Sequence, residues 1–132
     1  MTRTIAFILG VTVWCACAVA RAQSERSVWD GVYTQEQSVR GQATFNASCA
    51  TCHAPADFTG ASFLMNWEAS TAWDLFTQVL KTMPMDNPGS LRPEDYADVI
   101  TYFFRLNAMP TGKDELDTDA AHLKSIRITQ KK

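Results

Sequence analysis

The sequence predicts an all-α domain, and three observations carry that expectation. Three stretches repeat apolar residues at helical spacing, almost nothing alternates with strand periodicity, and 132 residues suffice for one small domain. The stretches run from Thr34 to about Ser48, from Thr71 to about Thr82 and from Pro93 to about Leu106. A short fourth helix is expected near Thr118 to Lys124. Internal repeats and low-complexity segments are absent from the sequence.

The first segment reads as an export signal. Arg3 precedes an apolar or small run from Ile5 to Val19, and Ala20-Arg21-Ala22 fits the A-x-A cleavage pattern, making Gln23 the new N-terminus. A retained membrane anchor is the weaker reading, because the run falls short of the roughly 20 residues a spanning helix prefers. No stable membrane insertion is expected after cleavage. A lipoprotein is also disfavoured, since Trp14 and Ala16 spoil the lead-in to Cys15 and Cys17. The expected organisation is a signal peptide at 1–22, an N-terminal extension at 23–33, a domain at 34–108, and a C-terminal tail at 109–132 packed on or trailing from it. Removing Arg3 and Arg21 from twelve basic residues leaves ten against fourteen acidic ones, a formal charge of −4. That argues against a nucleic-acid partner, which needs a basic face. A domain this small is only marginally stabilised by its own core, so something further must help.

In the first helical stretch, Thr34-x-x-Gln37 resembles a capping box. Gly41, Phe45 and Cys49 recur every four residues and share a face. Glycine costs a helix interior about 1 kcal/mol against alanine, which points to another backbone packed on Gly41.

That stretch runs into Cys49-Ala50-Thr51-Cys52-His53, a C-x-x-C-H pattern. Two thiols three positions apart lie on one side of a helical turn. They can add to two vinyl groups on one side of a haem, and the adjacent imidazole can then reach the iron. Three other readings compete. A thioredoxin-like pair needs a βαβ context, which is not visible here. A zinc site would have only Cys49, Cys52, His53 and the remote His122, and adjacent Cys52 and His53 suit a tetrahedral ion poorly. A structural disulfide leaves His53 unexplained.

The second stretch starts at Ser70 or Thr71 as cap and aligns Ala72, Phe76, Val79 and Met83, widened by Trp73 and Leu80. It delivers the chain to Met83-Pro84-Met85, thirty residues past His53. A thioether sulfur there is the expected sixth iron ligand, and Pro84 restricts the backbone around it. Spacing leaves Met83 and Met85 both open. Met65 and Met109 read as core filler. Asp86-Asn87-Pro88-Gly89-Ser90 is turn chemistry. The third stretch opens on Pro93 with Glu94, Asp95 and Asp98 near its positive end, turns Tyr96, Val99, Ile100 and Phe103 inward, and stops at Asn107 before Pro110. Beyond it, Lys113 to Asp119 reads as a solvated charged loop, and Ile126 and Ile128 alternate with polar residues as if extended along the body.

From about Val28 to Ile128 these residues resemble the class I c-type cytochromes, carried above all by Cys49 to His53. The resemblance implies a cytochrome c-like fold of about three main helices around one covalent haem c. It implies that Gly41 and Phe45 cross Val99 and Tyr102 of the C-terminal helix. It selects Met83 as ligand, since the family's methionine commonly precedes a proline. Trp67 matches a family tryptophan near the haem propionates; core packing is its other reading. A narrower similarity, to cytochromes associated with quinoprotein dehydrogenases, rests on Ser27 to Thr34, on Met83-Pro84 with Asn87 to Leu91, on Tyr96-Ala97-Asp98 and on Lys124 to Ile128.

Two departures stand out. The loop after His53 is short and Pro55 lies too close to supply the family's carbonyl acceptor for the imidazole N–H, although an acceptor is expected. Arg92 takes the place of a usual serine cap, which should weaken the helix start by about 1 kcal/mol. The expected function is single-electron transfer in the periplasm, from a dehydrogenase, a quinoprotein by the narrower similarity, to a downstream cytochrome or oxidase. On this reading the chain is an electron carrier, free or as the electron-transfer subunit of a dehydrogenase, and not itself an enzyme. The alternatives are a ligand-binding or catalytic haem protein with a labile sixth ligand, and a haem-free thiol–disulfide protein.

Overall fold

The structure, a computed structural model, describes residues 25–131; the expected signal peptide lies outside the described residues. Helix α1 (Gln35–Ser48) begins where the Thr34 hydroxyl accepts the Gln37 N–H at 3.1 Å. Only that half of the expected capping box forms. The Gln37 side chain, 2% exposed, turns away to Leu116, donating Nε2 to its carbonyl and accepting its N–H, both at 2.8 Å. A buried amide must be paired, and this one uses both of its ends. The charged 113–119 stretch is therefore anchored at its centre, where Leu116 is buried, rather than solvated throughout.

Between α1 and the next long helix lie a 3₁₀ turn (Pro55–Phe58) and helix α2 (Gly60–Trp67), neither expected from the periodicity. Helix α2 has eight residues and fully buries one of them, Phe63, so its apolar stripe is too narrow to read. Met65 lies on its open side at 86% exposure, which overturns its reading as core filler; Met109, at 3%, is in the core.

Helix α3 (Ala72–Thr82) starts from a complete capping box. The Asp74 N–H donates to Thr71 Oγ1 at 3.2 Å, and the Thr71 N–H donates to Asp74 Oδ2 at 2.8 Å. The Thr71 N–H, followed by its hydroxyl, holds the Asp74 carboxyl below the usual carboxylate range. A depressed folded-state value contributes stability above the unfolded value of about 3.9, which is lost as pH falls through the folded one. Asp74→Asn is therefore expected to cost about 1 kcal/mol at pH 7, the scale of a helix cap. Urea unfolding midpoints of mutant and parent should converge as pH falls below the folded-state value of Asp74.

Helix α4 (Pro93–Leu106) has nine consecutive buried residues, Tyr96 to Phe104, so it is covered on every side and not only on the expected face. Helix α1 crosses it at Gly41, where a Cβ would stand 1.8 Å from the Asp98 carbonyl oxygen. Phe45 packs on Tyr102 and Phe103, with ring centroids at 5.4 and 6.1 Å. This is the crossing the resemblance implied. Arg40 closes its edge, donating Nε and Nη2 to the largely buried Asp98 carboxylate at 2.9 and 3.2 Å. Arg92 supplies no side-chain cap, as expected, and instead grips Asp95 through two bonds of 2.9 and 2.7 Å.

The two ends of the described chain pack together. Strand β1 (Arg26–Ser27) runs parallel to β2 (Ile126–Arg127), pairing Arg26 with Ile126. Val28, Ile126 and Ile128 are fully buried beside this ribbon. Helix α5 (Ala120–Ser125) leads into β2 and is capped by Asp119, which accepts the His122 N–H at 2.8 Å. Tyr33 donates its hydroxyl to the Met109 carbonyl at 2.6 Å. Among the described residues the fold is all-α apart from this ribbon of two-residue strands and one isolated bridge between Thr71 and Arg127.

Candidate functional site

Cys49 ends α1, its N–H donating to the Phe45 carbonyl at 2.8 Å. Its own carbonyl then accepts the N–H groups of Cys52 at 3.1 Å and His53 at 3.0 Å. This tight continuation of the helix brings Cys49, Cys52 and His53 to one cavity of about 860 Å³. Cys49 and Cys52 are not joined in a disulfide. Cys52 is exposed, whereas Cys49 is half-buried and its burial pushes the thiol pKa up.

The imidazole is held by aromatic packing. Phe58 meets His53 edge-on at 5.4 Å and stacks on Phe103 at 4.2 Å. Asn107, at the end of α4, ties this loop down by donating to the Phe58 carbonyl and accepting the Gly60 N–H, both at 2.8 Å. Asp57 Oδ2 stands 3.9 Å from His53 Nδ1, beyond hydrogen-bond range, and already accepts the Ala54 N–H at 2.9 Å.

Met83 reaches the same cavity from the end of α3. Its N–H closes that helix onto the Val79 carbonyl at 2.9 Å. Its carbonyl accepts two hydrogen bonds, from the Gly89 N–H at 3.2 Å and from the Tyr96 hydroxyl at 2.7 Å. Met85 also lines the cavity but is 74% exposed, while Met83 is half-buried. Trp67, at the end of α2, forms part of the wall with Phe45, Val79 and Phe103. Asp86 is the one carboxylate among the lining residues, and none of them is Lys or Arg.

All six residues singled out in the sequence, Cys49, Cys52, His53, Trp67, Met83 and Met85, thus line one cavity. His122 does not; its Nδ1 lies 2.8 Å from Asp117, and no metal-binding cluster of three His, Cys, Asp or Glu side chains forms among the described residues. Sequence reasoning missed the parts played by Phe58, Asn107 and the Tyr96 hydroxyl. A buried tyrosine needs a partner for its hydroxyl, so Tyr96 carried a signal without naming its acceptor.

A family model described as cytochrome C oxidase, cbb3-type, subunit III matches residues 36–103. The chain belongs to this cytochrome c family. The matched span runs from the first turn of α1 through most of α4 and includes Cys49 to His53 and Met83. No curated protein and no solved structure gives a significant match.

As a c-type cytochrome the chain carries covalently bound haem c with its iron and transfers electrons through it. The cavity suits that cofactor. Its volume falls within the roughly 300–1,000 Å³ of small-molecule and cofactor sites, its walls are largely apolar, and it offers two thiols, an imidazole and thioether sulfur. Among the described residues of this cytochrome, no helix is long and apolar enough to cross a membrane.

Proposed function

We propose that this cytochrome is a periplasmic carrier with a single haem, held by Cys49 and Cys52 and ligated by His53 and Met83. One observation carries the reading: thiols and imidazole from the end of α1, and a half-buried methionine from the end of α3, line the same cavity. Each thiol adds across a vinyl group, its sulfur to one carbon and its hydrogen to the other, so attachment needs no oxidant. The haem iron supplies the one-electron chemistry. The protein's part is to hold its two ligands, keep water from the inner wall and set the potential.

Met83 is the better sixth ligand than Met85 because its backbone is fixed on both sides, by Val79 before it and by Gly89 and Tyr96 at its carbonyl. Met85 lies on the exposed part of the loop. Met83→Ala is expected to abolish the red-region sulfur-to-iron charge-transfer band, lower the potential and let carbon monoxide bind the reduced protein at neutral pH. Met85→Ala should retain the band. If the two results are exchanged, Met85 is the ligand.

The donor in this reading is a periplasmic dehydrogenase, a quinoprotein by the similarity of residues 27–34 and 83–91, and the acceptor is a downstream cytochrome or oxidase. Trp67 takes the place near the haem propionates. Stopped-flow reduction of the oxidised cytochrome by a substrate-reduced quinoprotein dehydrogenase from the same periplasm tests the donor. Reduction no faster than by a flavin dehydrogenase of that compartment argues for a different donor.

A further inference from the structure

The loop from Met83 to Leu91 joins two helices, and among the described residues one side chain from outside it, Tyr96, hydrogen-bonds to it. Met83 is the last residue held by α3, through its N–H to Val79. Beyond it, the loop closes on itself: the Asn87 N–H donates to the Pro84 carbonyl at 3.0 Å, the Ser90 N–H to Asn87 at 3.3 Å, and the Gly89 N–H to Met83 at 3.2 Å. Those bonds shape the loop but do not attach it to the core. Tyr96 does. Its side chain rises from the first turn of α4, the residue is 1% exposed, and its hydroxyl donates to the Met83 carbonyl at 2.7 Å. The same oxygen faces the Leu91 N–H at 3.4 Å, at the other end of the loop.

From this geometry we infer that Tyr96 is a positioning residue. Its phenol pins both ends of the methionine loop to α4 and so holds the Met83 sulfur against displacement by outside ligands. The inference rests on Met83 being the sixth ligand. The physical argument concerns the backbone. A carbonyl fixed by a donor on a fully packed helix cannot follow the loop outward without breaking that bond in a poorly solvated place, where an unmade bond is costly. α4 is itself immobilised by its close crossing with α1 at Gly41 and by the Arg40–Asp98 pair. A displacing ligand at the iron must therefore break the phenol bond as well as the iron–sulfur bond.

The test uses ferric holoprotein titrated with imidazole, which competes with Met83 and whose binding is read by loss of the red-region band. Tyr96→Phe removes only the hydroxyl and is expected to tighten imidazole binding about tenfold, which is about 1.4 kcal/mol. Haem content and thermal melting should stay near those of the parent. Tyr102→Phe, on the same helix but facing Phe45, is the control and should leave binding unchanged. Parent-like imidazole affinity in Tyr96→Phe, with the band present in the parent and lost in Met83→Ala, overturns the inference and leaves the ligand assignment standing. A band that survives Met83→Ala removes the ligand assignment itself, and this inference with it. Should Tyr96→Phe fail to accumulate, the parent ferrous protein decides: the Tyr96 hydroxyl proton should exchange slowly enough to be seen by proton NMR, close to the Gly89 N–H. A Tyr96 proton in free exchange with water overturns the inference.

Discussion

Exchange of both Cys49 and Cys52 for serine is expected to give a colourless chain at the mass of the bare polypeptide, with no cooperative thermal transition. Serine hydroxyls are too weakly nucleophilic to add to a vinyl group, so covalent attachment is lost outright. The consequence for folding follows from size. A domain as small as the one described by residues 25–131 buries too little surface to stand far above the unfolded state, and domain stabilities of roughly 5–15 kcal/mol leave little to spare. A cavity of about 860 Å³ is lined by the part-buried apolar side chains of Trp67, Val79 and Leu91, so without its occupant these side chains meet water. Haem staining after denaturing electrophoresis, intact mass and far-ultraviolet circular dichroism check the three parts of this result. A double-serine protein that stained for haem after denaturation would remove the thioether attachment on which the proposed carrier depends.

Gly41→Ala should destabilise the protein by about 4 kcal/mol or prevent its accumulation. On an isolated helix the same change would gain about 1 kcal/mol from propensity. Here the new methyl would stand 1.8 Å from the Asp98 carbonyl oxygen and 2.4 Å from its carbon, and both belong to backbone. Backbone cannot rotate aside as a side chain can, so α1 and α4 must separate, loosening Phe45 from Tyr102 and Phe103 and unseating Arg40 from Asp98. Overpacking of this kind falls at the severe end of single-mutation effects. Gly60→Ala is the comparison. Gly60 has a φ of +62° but nothing within 4 Å of its added methyl, so it should cost only about 1 kcal/mol of left-handed strain. Urea unfolding of both holoproteins checks the contrast, and equal losses would mean that the helix crossing tolerates a methyl group.

The two mutations differ in how visible their sites are along the chain. Cys49, Cys52 and His53 are neighbours on one helical turn, so their chemistry is written in a five-residue window. Gly41 carried half a signal: a glycine out of place in a helix hinted at a close contact, but the partner, Asp98, lies 57 positions away. Helix α2 left no usable trace because only Phe63 is fully buried and Met65, apolar, faces out. The charged 113–119 stretch looked solvated because Leu116 is a lone apolar residue among polar ones; only the distant Gln37 shows why it is buried.

The sequence by itself determined the all-α class, the three long helices with their start and stop signals, and the residues able to take a haem. Those properties depend on spacings of three and four positions and on caps adjacent to them, which are interactions within one turn. Tertiary structure alone decided which of two methionines has a fixed backbone, where the Gln37 amide goes, what the Tyr96 hydroxyl holds, and that residues 26–27 pair with 126–127. Each of these joins atoms far apart along the chain, and a hydrogen bond or backbone contact across such a separation leaves no local periodicity to read.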